Sequence, residues 1–153
     1  MRVSHMTLAA ACAAFVFAAP AVHADTPREL ANRRIVLEFY EKVFNAKDFA
    51  AASQFLGPRY VEHDPSMADG HDGLKAHVSL LKEEYPQSRR EIKRVIAEGD
   101  HVILHVHSMR MPGARGEALA HIYRLENGRI VEHWSMTQAV PETPHPKNPH
   151  SMF

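Results

Sequence analysis

Histidine is the side chain here that could carry chemistry. There are twelve, and imidazole titrates near neutral pH and ligates metals. His105 and His107 stand two apart in the alternating run 101–109, so both rings point to the same side of a strand. Two imidazoles on one face can hold a metal, shuttle protons or bind a polar ligand. The opposite face, Val102, Leu104 and Val106, is wholly apolar and is the natural core side, so the alternative reading is that the pair merely faces water or a second subunit. A metal site would need a third ligand, with His63, His121 and His133 as candidates, and no local spacing matches a metal motif. His63 lies in Tyr60-Val-Glu-His-Asp-Pro65, where Asp64 or Glu62 could orient its ring as a general base; alternatively it closes a turn. His121 is a polar residue in an apolar strand, which places it at a cavity or on the outer face. Trp134 points away from its neighbour His133 and reads as a core or interface aromatic, or as a platform for substrate.

The register of one hairpin decides which of these groups meet. Ala118–Leu125 and Arg129–Gln138 alternate on either side of Glu126-Asn127-Gly128, a hairpin signal. A two-residue turn, Asn127-Gly128, pairs Glu126 with Arg129 and sets His121 opposite Trp134. A three-residue loop with Gly128 left-handed in a bulge pairs Leu125 with Arg129. Leu119, His121, Tyr123, Val131, His133 and Ser135 then share one face. A slip of one residue exchanges the faces of a strand, so the two registers imply different chemistry.

The elements that must hold these strands begin with helices. Thr26-Pro27-Arg28-Glu29 is a capping box with proline at the first helical position. The helix is expected to reach about Asn45, burying Val36, Phe39, Tyr40, Val43 and Phe44. Asp48 caps a short second helix through Phe55, ended by Gly57-Pro58. Tyr60–Asp64 is a short extended piece. A third helix, about His71 to Glu84, buries Leu74, Val78 and Leu81 and stops at Pro86. From Arg89 the period becomes alternating, with strands 90–98 and 101–109 before the hairpin. Helices early and an antiparallel meander late define an α+β protein.

The length of 153 residues suits one domain. Eighteen basic residues balance eighteen acidic ones, which gives no support to nucleic-acid or anionic-membrane binding. Arg2, the apolar run Leu8–Ala19 and Val22-His23-Ala24 read as a secretory signal peptide, residues 1–24, cleaved after Ala24. That run is too short for a permanent membrane span, and Cys12 lies within it, so the mature chain is expected to lack cysteine and to reside in the periplasm or outside the cell. Residues 25–140 form the domain, and 141–153 are a Pro/His-rich tail, laid along the domain or a partner. Ser135 lacks the sharp glycine-flanked turn of a hydrolase nucleophile.

Several segments together resemble the SnoaL-like polyketide cyclase family of the nuclear-transport-factor-2-like superfamily. They are Phe-Tyr-x-x-Val-Phe-Asn (39–45), Tyr-Val-Glu-His-Asp-Pro (60–65), Ala-Asp-Gly (68–70), Val-Ile-Ala-Glu-Gly-Asp (95–100), Arg-Leu-Glu-Asn-Gly-Arg-Ile-Val-Glu-His-Trp (124–134) and Gln-x-Val-Pro-Glu-Thr (138–143). The resemblance implies a cone-shaped fold, with a curved antiparallel sheet wrapped around N-terminal helices and enclosing a pocket. It also implies frequent homodimers and no required cofactor. In such cyclases an acid on the last strand, after the tryptophan, and a polar partner on the preceding strand promote aldol closure by proton transfer. Those positions fall on Ser135 and His121, which must share a face, and this favours the bulged loop. Serine is no general base at neutral pH without help, so His121, His63 or His133 must take over, or the chain does not perform this reaction.

The expectation is therefore an exported, cofactor-free enzyme acting on a small hydrophobic or carbonyl-containing molecule. His121 and His63 would transfer protons, and Ser135, His133, His105, His107, Trp134 and Tyr123 would line the substrate site. The alternatives are a non-catalytic periplasmic binder and a histidine-held metal site.

Overall fold

The structure is a computed structural model that describes residues 24–143 and 145–153. The signal-peptide segment, up to residue 23, lies outside the described residues. Helix α1 (Pro27–Tyr40) starts at the capping box, with Thr26 and Glu29 each bonding the other's backbone N–H. Its last turn winds into a π-helical segment, Glu41–Asn45, rather than continuing as α-helix. Such wide turns favour functional sites, and this one directs Phe44 and Asn45 toward the sheet. Helix α2 (Phe49–Ser53), capped by Asp48, leads to strand β1 (Leu56–Glu62). That strand begins earlier than the extended piece read from Tyr60, because Gly57-Pro58 continues it instead of breaking the chain. Helix α3 (Gly70–Glu84) and strands β2 (Arg89–Glu98), β3 (His101–Met109), β4 (Glu117–Glu126) and β5 (Arg129–Ala139) follow.

The strands form one unclosed sheet in the order β1-β5-β4-β3-β2. The last four make an antiparallel meander, and β1 joins β5 in parallel. The helices cover the inner face, where Val36, Phe39, Tyr40, Val43, Leu74 and Val78 pack against Val102, Leu104, Val106 and Ile130. Inner and outer residues alternate strictly along β3, with every even position buried. Gly73, in the first turn of α3, lies so close to the Ala68 carbonyl that an added Cβ would sit 1.8 Å from its oxygen. Gly73→Ala is expected to lower stability by about 2 kcal/mol or more by forcing these backbones apart, measurable as a drop in urea midpoint at unchanged m-value.

The hairpin combines parts of both registers. Asn127 and Gly128 have φ of 49° and 73°, a two-residue turn that pairs Glu126 with Arg129. One step on, the register shifts, and Arg124 faces Glu132 instead of Val131. The bulge therefore lies in β5, at Val131, not in the loop. It sends Ile130 into the core in place of Val131 and sets His121 opposite Ser135 and Tyr123 opposite His133.

Candidate functional site

Two properties of β1 build the site: its alternation and its parallel pairing with β5. Tyr60 and Glu62 point inward, and Asp64, just past the strand, reaches the same side. Glu62 pairs with His133 in the strand register, and its side chain has 0% exposure. Its carboxylate accepts hydrogen bonds from the Tyr60 hydroxyl (2.7 Å), the Asp64 backbone N–H (2.9 Å) and Nδ1 of His133 (2.8 Å). The Glu62 N–H is held in turn by Asp69, the N-cap residue of α3, at 2.8 Å. Burial raises the Glu62 pKa, but the bonds from His133 and Tyr60 outweigh it and hold the carboxyl below its usual range.

From Glu62 a line of hydrogen bonds runs inward. His133 Nε2 lies 2.8 Å from His121 Nδ1, and His121 Nε2 lies 3.3 Å from Arg90 Nη1. Both imidazoles are 3% exposed. One protonation pattern satisfies every contact. Arg90 can only donate, so His121 Nε2 must accept; neutral His121 then carries its proton on Nδ1 and donates to His133 Nε2. His133 carries its proton on Nδ1 and donates to the ionised Glu62. Burial, then the neighbouring His133, Arg90 and His77, push the His121 pKa well below its ordinary value, which keeps the ring neutral. Tyr40 and Phe44 clasp that ring at centroid distances of 5.3 and 5.6 Å.

Beside this line lies a cavity of about 170 Å³, with His121, His133, Ser135, Asp64, His77 and Arg90 in its wall, and Phe44, Met67 and Leu119 among its apolar contacts. Ser135 donates a short hydrogen bond to Asp64, which also accepts from Ser66. Burial raises the Asp64 pKa, yet these hydroxyl bonds hold it low, so it stays a carboxylate. The position after Trp134 carries no acid, but an acid from the end of β1 stands beside it. His77 is shifted down, chiefly by burial and then by Arg90.

The remaining candidates lie elsewhere. His63 falls on the outer side of β1, between the inward Glu62 and Asp64; it stacks flat on Trp134 at 4.5 Å and approaches Glu132 at 3.3 Å. The carboxylate that orients an imidazole is thus Glu62, and the ring it orients is that of His133. Trp134 is on the outer face with His63. The cleft that His63 lines is larger, about 400 Å³, but Glu132 there is bound to Arg124 as well as to His63. His105 and His107 also face outward, because Val102, Leu104 and Val106 take the core side at 0% exposure. They engage Arg94 and the Arg115 carbonyl, and Phe153 from the chain's end stacks on both, so the tail lies along the domain. Tyr123 is buried behind the cavity wall, its ring against His133 at 4.7 Å. Among the described residues, no three His, Cys, Asp or Glu side chains are grouped to hold a metal ion.

Burial of neutral His121 makes stability depend on pH. Its pKa in the fold lies below the unfolded value near 6.5, so the unfolded chain binds more protons in between. Stability is full above pH 6.5 and is lost as pH falls toward the folded pKa. The melting temperature is expected to decline between pH 7 and 5, and to decline less in His121→Gln.

The SnoaL-like domain model matches residues 36–133, and the chain belongs to that family. A comparison with curated proteins finds no match. Among solved structures, a candidate SnoaL-like polyketide cyclase from Jannaschia sp. aligns with a TM-score of 0.63 at 19% identity, over 75% of this chain and 90% of that one. A candidate polyketide cyclase from Acidithiobacillus ferrooxidans aligns at 0.59 and 22% identity, over 70% and 87%. AclR, a candidate hydroxylase from Streptomyces galilaeus, aligns at 0.59 and 20%, over 76% and 90%. These likenesses establish the nuclear-transport-factor-2-like fold and leave the reaction to the residues of the site.

Proposed function

We propose that this protein is a cofactor-free enzyme that removes a proton next to a carbonyl group of a small molecule, in an aldol, cyclase or isomerase type of reaction. His121 is the base. The single observation that supports this most is the hydrogen-bond line from Glu62 through His133 to His121, which keeps His121 Nε2 unprotonated, facing Arg90, at the cavity wall. When Nε2 takes a proton from carbon, the ring becomes an imidazolium. His133 accepts from its Nδ1–H, and the buried Glu62 carboxylate stabilises the positive charge through His133. Asp64, an ionised carboxylate that accepts from Ser135, is a second proton acceptor in the same wall. The N-terminal segment suits action in the periplasm, and a homodimer suits the family.

The polar wall favours turnover over mere storage of a hydrophobic ligand. The test is deuterium incorporation at the α-carbon of acetone, cyclohexanone and acetylacetone in D2O. The protein is expected to accelerate exchange over buffer for at least one of them, and His121→Ala to remove that acceleration. Exchange at the buffer rate for all three, with no product from any, would contradict an enzymatic role in α-proton removal.

A further inference from the structure

Arg90 has a part that the His121 relay leaves unexplained. Its guanidinium lies 3.8 Å over the Phe44 ring, and its backbone is clamped by Asn45, whose amide accepts from the Arg90 N–H (2.9 Å) and donates to its carbonyl (3.1 Å). Two consecutive residues of the π-helical segment thus fix this one side chain. Its Nη1 contacts two groups, His121 Nε2 at 3.3 Å and the Tyr40 hydroxyl at 3.5 Å. Among the described residues no carboxylate pairs with it, although Asp64 and Glu117 share the cavity wall. A half-buried cation held so firmly without a counter-charge, beside a base and a cavity, is arranged to meet negative charge that arrives with a ligand.

We infer that Arg90 is the oxyanion-binding residue of the site, and that the substrate is a compact enolisable carbonyl compound whose oxygen docks on its guanidinium. This rests on the reading of His121 as base. The spacing of the two nitrogens, 3.3 Å, suits this use. An α-carbon and its carbonyl oxygen are about 2.4 Å apart by ordinary bond lengths, so one molecule can present its C–H to His121 and its oxygen to Arg90 together. In the free protein the Arg90 N–H occupies the lone pair of Nε2. A carbonyl oxygen draws that N–H away and uncovers the base as substrate binds. The C–H bond then breaks, its proton goes to Nε2, its electron pair forms the carbon–carbon double bond of the enolate, and the charge settles on the oxygen at Arg90. The cavity, about 170 Å³, is smaller than most ligand sites and fits a molecule of roughly ten non-hydrogen atoms better than a multi-ring polyketide.

Acetylacetone tests this in two arms, because its enolate absorbs apart from its enol and diketone. Wild-type protein is expected to bind it as the enolate at neutral pH, giving the enolate difference spectrum. Arg90→Gln is expected to lose that spectrum and to slow α-proton exchange about 100-fold, mainly in kcat, with Arg90→Lys recovering part of both. Melting curves show whether Arg90→Gln remains folded, and the Lys variant keeps the test open if it does not. Exchange by Arg90→Gln at the wild-type rate, or a wild-type complex holding only neutral forms, overturns the assignment of Arg90 and leaves His121 as base. An Arg90-dependent enolate spectrum without accelerated exchange supports the oxyanion site and overturns the catalytic reading. Neither spectrum nor exchange overturns both.

Discussion

His121→Ala is expected to slow α-proton removal on the order of 10³-fold, the range over which a positioned general base acts. No other group can replace it where it stands. Among the described residues, His77, also in the wall, has no carboxylate bonded to its ring, while His133 has both nitrogens engaged, one with Glu62 and one with His121. The variant leaves His133 Nε2 as a buried acceptor without its donor and opens a gap beside Tyr40 and Phe44. A stability loss of about 2 kcal/mol should accompany the lost activity. The two effects separate by assay: rates are compared below the melting transition of the variant, and single-turnover exchange distinguishes weak binding from slow chemistry. A variant that retains more than a tenth of the wild-type rate would remove His121 from the mechanism.

Glu62→Gln is the second large effect, expected to lower kcat about 100-fold with a small change in KM. The isostere keeps the shape but removes the charge that stabilises a protonated His121 through His133. Geometry then adds a conflict. The Asp64 N–H donates to Oε1 at 2.9 Å, so the glutamine carbonyl must take that position and its NH2 the other. Nδ1–H of His133 keeps that carbonyl at 2.8 Å, but it now also faces the NH2 at 2.9 Å, a donor against a donor. Relief by moving the His133 proton to Nε2 would push the His121 proton to its own Nε2, against Arg90, and abolish the lone pair that does the chemistry. A wrong tautomer of this kind is costly in other histidine–carboxylate pairs. In the pH profile of kcat/KM, activity should persist below pH 6.5, because the His121 pKa is depressed, and should fall only as pH drops through that lowered value.

How much of this was legible in the sequence differs from residue to residue. The capping box, the apolar spacings and the switch to alternation were sufficient for the helices and the meander. The shared face of His121, His133 and Ser135 was legible too, but by a different route: the Asn-Gly dipeptide formed the tight turn, and the extra residue went into β5 at Val131. Where a bulge falls depends on which of Ile130 and Val131 the core admits, and that is a property of the packed protein. Glu62 and Asp64 were visible only as possible companions of His63. Strand alternation over Tyr60, Glu62 and Asp64 carried the needed signal, since it sends His63 to the other side. The parallel pairing that brings Glu62 to His133, 71 residues away, had no local mark. Arg90 and His77 had none either, because they reach the cavity only once Phe44 and Asn45 hold Arg90 and α3 packs His77 over the sheet. His105 and His107 were ambiguous between faces until the burial of Val102, Leu104 and Val106 decided it.

Glu62, His133 and His121 form a directed hydrogen-bond line that ends in an unprotonated Nε2 on His121, facing Arg90. Two-bond 1H–15N spectra of histidine-labelled protein at pH 7 read this directly. Both rings are expected neutral with the proton on Nδ1, and Glu62→Gln should disturb both resonance patterns together. A proton on Nε2 of His121, or a His133 ring insensitive to Glu62, would contradict the account.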